Sequence, residues 1–534
     1  MSESGGVFSK RGQPFRIEAY PPATQALIRD KLRPVEEIVR GLPKSFRFFS
    51  TFAMSQGRSF LRKLAIRDDY EHVTYFCAMT LEPYPILKNP NVDIVCAYYS
   101  PLDRFVAEKM GKTVAHLPRQ FIQFCDTIQV PGLIDFMVHT VTPPDADGYV
   151  NLGVNCEILH ECLSDFVRTK RAKIILEINA NVPWVTGHKD FACNRLHLSD
   201  VDAIYENHER LPQLPPIVPS ASEQKIADNV LPFIENGDTL QLGIGGVPNY
   251  IAEHLKDRRG LKIHSEMLTD AMVDLVEAGA IDNHGKDYMD GLLVGTFAAG
   301  TDKLYDFLDR NESVVLLPIR AVNDPTVIGK HRHMKSINSA LMIDLNGQAA
   351  SDALGFQQIS GIGGQLEFVM GAQRSEGGRS ILCLKSTSMV RGKMLSNIVL
   401  TLPPGTPVTV PRHLADTIIT EWGVAEIKHK DAIERAHALV AIAHPSFRDA
   451  LIAEAKENGL WERRPGFDTF TRRAMFNNLG YLRKLTTSFE GKSAGTKAGI
   501  LIGELKKALA APELGKRLRS FYDQNRSRVL KKPQ

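Results

Sequence analysis

The stretch TLQLGIGGVPNYIAEHLKDRRGLKIHSEMLTD, residues 239–270, decides the fold class of this chain. Its apolar start predicts a strand, a glycine-rich turn at 243–247 follows, and the helical spacing of Tyr250, Ile251 and Leu255 predicts a helix. A second short strand then ends near Glu266. This order predicts an α/β unit with parallel strands, and in such a sheet the loops after the strands form the ligand crevice. We therefore expect the glycine turn and Glu266 to lie side by side.

The same stretch has a second interpretation, as a dinucleotide-binding unit. Such a unit also has a glycine turn after its first strand and an acidic residue about 20 positions later, which would make Glu266 a ribose ligand. The G-x-G-x-x-G spacing, however, needs a third glycine where this chain has Pro248. Proline lacks an N–H and fixes φ, so it suits the first turn of a helix better than close packing against a strand. The glycine spacing therefore argues against a dinucleotide as the ligand.

The composition is that of a globular protein, with 43% hydrophobic residues, 24% charged residues and a formal net charge of +4. A chain of 534 residues is too long for one core, so we expect two or three domains. No stretch reaches the roughly 18 apolar residues of a membrane span, and the first residues lack the apolar segment of a secretory signal. The seven cysteines are scattered without a CxxC or zinc-type spacing, which favours a reducing compartment and no bound metal. We therefore expect a cytoplasmic protein.

A proline-rich segment at residues 211–220 separates two halves that each alternate strand and helix signals. The segment cannot sustain a helix or an inner strand, so it predicts a linker. Among the predicted strands, residues 172–179 precede it and residues 239–244 follow it. The alternation predicts two tandem open parallel-sheet α/β domains, 1–220 and 221–450.

Motifs in both halves carry a resemblance to a known enzyme family. They are VTPPDADGYVNLG at residues 141–153, LQLGIGGVPNYIAEHL at 240–255, IHSEMLTDAMVDLVEAGAI at 263–281, GFQQISGIGGQLEFVMGA at 355–372 and VAIAHPSFRDAL at 440–451. With these motifs in this order, the chain resembles the family of acetyl-CoA hydrolases and acyl-CoA:carboxylate CoA-transferases, which includes 4-hydroxybutyrate CoA-transferase and succinyl-CoA:acetate CoA-transferase. The resemblance implies that both α/β domains are of the CoA-transferase type and that the second carries the catalytic residue.

Residues 451–534 lie beyond the family's motifs and form a basic tail. They contain 18 Lys or Arg against 8 Asp or Glu, and runs such as LIGELKKALAAPELGKRLRSFYDQ have apolar and basic stripes at helical spacing. We expect a helical accessory extension that packs on the body or on a partner subunit. The alternative is that its basic residues bind acidic partners or the phosphates of CoA.

The resemblance also implies which residues form the active site. It places the family's catalytic glutamate at Glu266 and assigns the acyl-CoA site to two glycine loops. Residues expected to contact CoA or its thioester are Gly243, Ile244, Gly245, Gly246, Val247, Gly361 and Gly363. Asn323 matches an asparagine that would orient the carboxylate, although Asp324 is inserted after it. Lys385 is a further candidate for a CoA contact, and Trp422 stands where relatives usually have tyrosine.

The chemistry expected of Glu266 is nucleophilic. A glutamate with the reference pKa of about 4.3 is ionised at neutral pH, so it needs no base to attack a thioester. Attack on an acyl-CoA gives a mixed anhydride, and the released thiolate then forms a glutamyl-CoA thioester. Each step creates an oxyanion that needs N–H donors, which the two glycine loops are expected to supply.

These features predict an acyl-CoA:carboxylate CoA-transferase for short-chain acids, with CoA as a substrate and no permanently bound cofactor. The first alternative is an acyl-CoA hydrolase that uses the same glutamate, with water resolving the intermediate. The second is a non-catalytic CoA-binding or assembly protein. No nucleic-acid-binding module and no membrane partner are expected, and we expect a homodimer.

Overall fold

Two open, mainly parallel β-sheets organise the chain, one in each half. The computed structural model describes residues 11–12, 16–156, 159–191 and 194–462. Both sheets belong to one compact unit that ends at Trp461. The predicted tail from residue 463 onward lies outside the described residues. Within those ranges, no helix combines the length and apolar character needed to cross a bilayer.

The first sheet is wholly parallel, and its strand order shows that its neighbours are joined by crossovers. The strands of the first half are β1 (Ser45–Ser50), β2 (His72–Cys77), β3 (Val92–Cys96), β4 (Val114–His116), β5 (Phe136–Val141), β6 (Tyr149–Asn151), β7 (Lys173–Ile178), β8 (Arg195–His197) and β9 (Ala203–Glu206). The sheet runs β4-β3-β2-β1-β5-β7-β9, and β6 pairs with β8 outside it. All residues of β5 are buried, as expected for a strand covered by helices on both faces. The strand predicted at 172–179 is confirmed as β7.

Helices cover this sheet and carry part of the cavity described below. They are α1 (Pro22–Lys31), α2 (Val35–Arg40), α3 (Arg58–Lys63), α4 (Pro101–Lys109), α5 (Phe121–Ile128) and α6 (Leu159–Thr169). Helix α4 begins where Ser100 accepts hydrogen bonds from the backbone N–H groups of Leu102 and Asp103, a capping box that fixes the chain after β3. Helix α5 buries Phe124, Cys125 and Ile128 against the body.

The second sheet is parallel except at one edge. The strands of the second half are β10 (Thr239–Leu242), β11 (Lys262–Ile263), β12 (Met267–Leu268), β13 (Leu293–Gly295), β14 (Phe297–Ala298), β15 (Val314–Leu316), β16 (Met334–Ser339), β17 (Met342–Asp344), β18 (Ala349–Ala350), β19 (Ala353–Leu354), β20 (Gln357–Gln358), β21 (Arg379–Cys383), β22 (Thr387–Val390), β23 (Lys393–Ser396), β24 (Ile398–Val399), β25 (Thr417–Thr420) and β26 (Gly423–Glu426). The main sheet runs β11-β10-β16-β21-β25-β26, and only the pair β25-β26 within it is antiparallel. The strand predicted at 239–244 is confirmed as β10.

The helices of the second half pack on this sheet. They are α7 (Ala221–Val230), α8 (Gly246–His254), α9 (Asp270–Glu277), α10 (Asp302–Leu308), α11 (Ile319–Asn323), α12 (Pro325–Ile328), α13 (Gln365–Arg374), α14 (Ala432–Ala441) and α15 (Pro445–Glu457). Helix α15 spans the boundary predicted at residue 450, and its Leu451 and Ala455 are buried in the core of this half. The compact unit therefore continues past 450 to Trp461.

The two halves share one hydrophobic core, in which Phe124 of the first half and Phe297 of the second both take part. Backbone hydrogen bonds also join the halves: Ala298 N–H donates to Val154 O at 2.8 Å, and Phe121 N–H donates to Gly363 O at 3.1 Å. The expected α/β architecture with two parallel sheets and C-terminal helices is confirmed. A division into separate domains at residue 220 stays a prediction, since the halves pack as one unit.

Candidate active site

A cavity of about 360 Å³ lies at the carboxyl ends of the second sheet's strands and is closed by the first half. Glu266 lines it from the second half. Six aromatic side chains are among its lining residues: Phe52, Tyr98, Phe121, Phe124, Phe297 and Phe368. Arg119 is the one other charged side chain among the lining residues that the structure describes. The cavity is therefore mostly apolar, with a carboxylate placed inside it.

The glycine turn and Glu266 do lie side by side, as the sequence predicts. Strands β10 and β11 are parallel neighbours, so the chain after Leu242 and the chain after Ile263 leave the sheet at the same edge. Ser265 Oγ donates a hydrogen bond to Leu242 O at 3.2 Å, which joins the two loops directly.

The predicted glycine turn divides into residues that face the cavity and residues that shape the backbone. Gly243, Ile244 and Val247 line the cavity. Gly245 has φ +127°, a conformation that side chains rarely adopt, and it caps α8. Gly246 packs instead against Glu223, because an added Cβ would lie 3.0 Å from its Oε2. Gly245 and Gly246 are thus outside the lining set.

Glu266 is held by both its backbone and its side chain. Its carbonyl oxygen accepts a hydrogen bond from Thr296 N–H at 2.9 Å. Asn323 Nδ2 donates to Glu266 Oε2 at 2.7 Å, and the backbone N–H of Gly364 also hydrogen-bonds the carboxylate. Asn323 thus fixes the position of Oε2.

Burial raises the pKa of Glu266 to about 7, although the hydrogen bonds from Asn323 and Gly364 oppose that shift. Full ionisation of Glu266 at neutral pH, as expected from the reference pKa, is therefore wrong. Loss of solvation disfavours the charged form, and two donors do not replace a full hydration shell. A more basic carboxylate is also a stronger nucleophile once it is ionised.

Asn323 reaches Glu266 in spite of the residue inserted after it. The amide ends α11 and is fully buried. Asp324 turns away to cap α12, where its side chain accepts a hydrogen bond from Thr326 N–H at 2.6 Å. Behind the pair, His264 Nε2–H donates to Val322 O at 2.8 Å and so joins the segments that carry Glu266 and Asn323. The insertion leaves the asparagine in place.

The second glycine loop contributes a residue that the sequence analysis did not single out. Gly361 and Gly363 both line the cavity, as expected. Gly361 packs against the backbone of the first half, since an added Cβ would lie 2.6 Å from Ala97 O. The closest approach to Glu266 is made by Gly364, where an added Cβ would lie 1.8 Å from Glu266 Oε2. The motif GIGGQ contains this residue, but the local pattern does not tell which glycine faces the carboxylate.

Lys385 and Trp422 are not among the lining residues. Lys385 follows β21 and pairs with Glu223, its Nζ 3.2 Å from Oε1. Trp422 lies in the turn between β25 and β26, is 44% exposed and packs edge-on against His444. Any role of Lys385 toward CoA would lie outside the cavity.

Comparisons with known proteins agree with this geometry. The model of the acetyl-CoA hydrolase/transferase N-terminal domain matches residues 98–219, and the model of the C-terminal domain matches residues 300–455. The 4-hydroxybutyrate coenzyme A transferase of Clostridium kluyveri is 39% identical over 343 residues, which cover 62% of this chain and 76% of that protein. The chain belongs to the acetyl-CoA hydrolase/transferase family. The resemblance predicted from the motifs is thus confirmed.

A solved structure and a second curated relative are also similar to this chain. The crystal structure of RipA from Yersinia pestis superposes with a TM-score of 0.74 at 32% identity, covering 82% of this chain and 99% of that one. An acetyl-CoA hydrolase of Candida albicans is more distant, at 26% identity over 256 residues, or 45% of this chain and 46% of that protein. The chain is therefore an enzyme of CoA thioester chemistry, and both the dinucleotide-binding and the non-catalytic interpretations are set aside.

Proposed function

We propose that this chain is an acyl-CoA:carboxylate CoA-transferase in which Glu266 carries CoA as a thioester. The observation that supports this most is the position of one carboxylate inside a mostly apolar cavity, held by Asn323 and Gly364. A carboxylate so placed has a defined oxygen to attack with and donors for the charge that develops on the other.

The proposed reaction proceeds by exchanges of carboxylate and thiolate. Glu266 Oε1 attacks the thioester carbonyl, and the resulting oxyanion collapses with release of the CoA thiolate and formation of a mixed anhydride. The thiolate then attacks the glutamyl carbonyl and displaces the first carboxylic acid as its anion. The acceptor carboxylate attacks the glutamyl-CoA thioester and displaces the CoA thiolate, which gives a second mixed anhydride. The thiolate finally attacks the acceptor's carbonyl in this anhydride and so regenerates the Glu266 carboxylate.

The donors around Glu266 fit the steps in which its own carbonyl is attacked. Asn323 Nδ2 lies 2.7 Å from Oε2, within the range in which a donor stabilises an oxyanion. Oε2 is the oxygen that becomes negative when thiolate or acceptor adds to the glutamyl carbonyl. The glycine loops with Gly243 and Gly363 are proposed to serve the acyl carbonyl in the same way.

Transfer is favoured over hydrolysis by the walls of the cavity. Phe52, Phe121 and Phe124 close it from the first half, and Phe297 lines it from the second. Such walls offer few partners for an attacking water, so a glutamyl-CoA thioester can wait for a carboxylate acceptor. The name of the Clostridium kluyveri relative also supports transfer. Short-chain acyl-CoA donors are proposed as substrates.

The decisive experiment combines mass spectrometry with acceptor-dependent kinetics. Incubation of the wild type with acetyl-CoA or butyryl-CoA without acceptor should add CoA to the peptide that contains Glu266, and Glu266→Gln should remove both adduct and exchange. Glu277→Gln, on the outer side of α9 where it pairs with Lys303 at 2.6 Å, is the matched control. An active Glu266→Gln enzyme would contradict the mechanism. Acyl-CoA loss that is indifferent to every carboxylate would make the enzyme a hydrolase.

Two further parts of the proposal rest on the sequence. We propose that the enzyme is cytoplasmic, because its cysteines are scattered and follow no disulfide or metal spacing. We also propose a homodimer, which size-exclusion chromatography with light scattering would test directly.

A further inference from the structure

A second carboxyl group, that of Glu367, lies buried in the first turn of α13. Its side chain is 2% exposed. Oε1 accepts a hydrogen bond from the backbone N–H of Ile122, on α5 of the first half, at 3.4 Å. Oε2 has no hydrogen-bond partner among the residues that the structure describes. This carboxyl is absent from the cavity lining, and the reaction proposed above makes no use of it.

Glu367 is a close neighbour of Glu266 through the geometry of α13. Glu266 Oε2 occupies the place where a side chain of Gly364 would begin, because an added Cβ would fall 1.8 Å from it. Gly364 caps α13 and Glu367 is three residues later. Residues three apart on a helix are neighbours, with Cβ atoms about 5–6 Å apart. The carboxyl group of Glu266 therefore lies beside the first turn of α13, close enough for its charge to act on Glu367.

Glu266 and Glu367 differ in the hydrogen-bond donors that can support a negative charge. Glu266 has Asn323 Nδ2 and the N–H of Gly364 to support its charge, whereas one oxygen of Glu367 has no donor. Burial, with a smaller contribution from the negative charge of Glu266, raises the pKa of Glu367 to about 8, although backbone hydrogen bonds oppose the shift. Pairs of acids whose environments push their pKa values apart commonly divide their roles.

Other charged groups on the elements around Glu367 are engaged elsewhere. On α5 and α11, Asp126 and Arg320 pair with each other. On α13 itself, Arg374 donates to Thr326 at 3.3 Å. Lys335 pairs with Asp238, and Arg379 pairs with Glu426. Two further titratable groups lie nearby: burial raises the pKa of Cys383 to about 12, and burial together with the charge of Glu266 raises the pKa of Tyr98. Glu266 is thus the charge that acts on Glu367.

We propose that Glu367 is a positioning residue that keeps its proton while Glu266 is ionised. One negative charge, that of Glu266, then lies beside the first turn of α13. The inference rests on the proposed role of Glu266. When Glu367 loses its proton, a second negative charge stands beside the oxyanion that forms during attack. Repulsion between the two charges then slows the acyl exchange.

The test is the pH dependence of kcat/KM for exchange between butyryl-CoA and acetate, in the wild type and in Glu367→Gln. The wild type should rise through about pH 7 as Glu266 ionises and fall above about pH 8, losing up to about tenfold by pH 9 relative to its maximum. Glu367→Gln cannot ionise, so it should keep the acid limb and lose the alkaline limb. Glu367→Asp, which retains a carboxyl, should keep both limbs, and Glu277→Gln should match the wild type.

A second readout keeps the outcomes apart. Infrared spectra at pH 7.5 should show the C=O band of a protonated carboxyl group. This band should be lost in Glu367→Gln and kept in Glu266→Gln. An alkaline limb that survives in Glu367→Gln, or a carboxyl band unchanged in that variant, would overturn the inference. A wild type that forms no CoA adduct would instead overturn the proposed function, while the infrared result would still report on the proton of Glu367.

Discussion

Replacing Glu266 with glutamine should stabilise the protein, and the gain should grow as the pH rises. The pKa of Glu266 in the fold is about 7, against an ordinary value of 4.5. Below pH 4.5 the group is protonated in both states and does not affect their balance. Between pH 4.5 and 7 the Glu266 side chain ionises in the unfolded state but keeps its proton in the folded state, so the wild type progressively loses stability.

The size of the effect follows from the difference of the two pKa values. At about 1.4 kcal/mol per pKa unit, a rise of roughly 2.5 units corresponds to a cost of up to about 3 kcal/mol above pH 7. Water that enters the cavity reduces this figure, so about 2 kcal/mol between pH 5 and pH 8 is the expected change. Glutamine is neutral throughout and escapes this cost, apart from a constant difference in hydrogen bonding that does not depend on pH.

The assay is thermal unfolding of both proteins at pH 5 and pH 8, followed by intrinsic fluorescence. The midpoint of Glu266→Gln should exceed that of the wild type by several degrees more at pH 8 than at pH 5. Glu36→Gln is the control, because the hydrogen bond from Lys63 at 2.6 Å lowers the pKa of Glu36, so this variant should lose stability by nearly the same amount at both pH values. An equal difference between Glu266→Gln and the wild type at both pH values would refute the argument from burial.

Further substitutions test the contacts of the site. Gly364→Ala should lower kcat by about 100-fold or more with a native melting curve, because its φ of −97° suits alanine while the added Cβ collides with Glu266 Oε2. Asn323→Ala should lower kcat by about 100-fold through loss of one oxyanion donor, with Asn323→Asp failing to restore it because a carboxylate is not a donor. Lys385→Ala should change the KM for acyl-CoA by less than about threefold, since Lys385 pairs with the partly buried Glu223 and does not line the cavity. A stop codon after Glu462 should leave exchange activity, measured on purified protein, because the compact unit that holds the site ends at Trp461.

The sequence predicted the local frame of the site well. A strand, a glycine turn and a helix at residues 239–254 follow from short-range periodicity, and the pairing of β10 with β11 brings Glu266 beside the turn. Asn323 was placed by the resemblance, and the structure brings it to 2.7 Å from Glu266. These features depend on neighbours that are close in the chain or on a sheet order that few connections allow.

What the sequence did not predict depends on contacts between distant segments. Which glycine of the second loop meets Glu266 is set by the packing of that loop on Tyr98, so Gly364 could not be told from Gly363 by pattern alone. The raised pKa of Glu266 arises from burial in a cavity that residues of both halves line. A contact of Lys385 with CoA stays a prediction, and the strand pattern does not indicate the pair that its side chain forms with Glu223.

The cavity draws its chemical groups and its walls from different parts of the chain. Glu266, Asn323 and Gly364 come from the second half, whereas Phe52, Phe121 and Phe124 come from the first. Backbone hydrogen bonds join the two parts, among them the bond from Phe121 N–H to Gly363 O at 3.1 Å. Substitution of the phenylalanine side chains changes the space for the acyl group. It leaves that hydrogen bond and the donors to Glu266 intact. Acyl-chain preference can thus diverge, in evolution or by design, through first-half residues while the reaction itself is preserved.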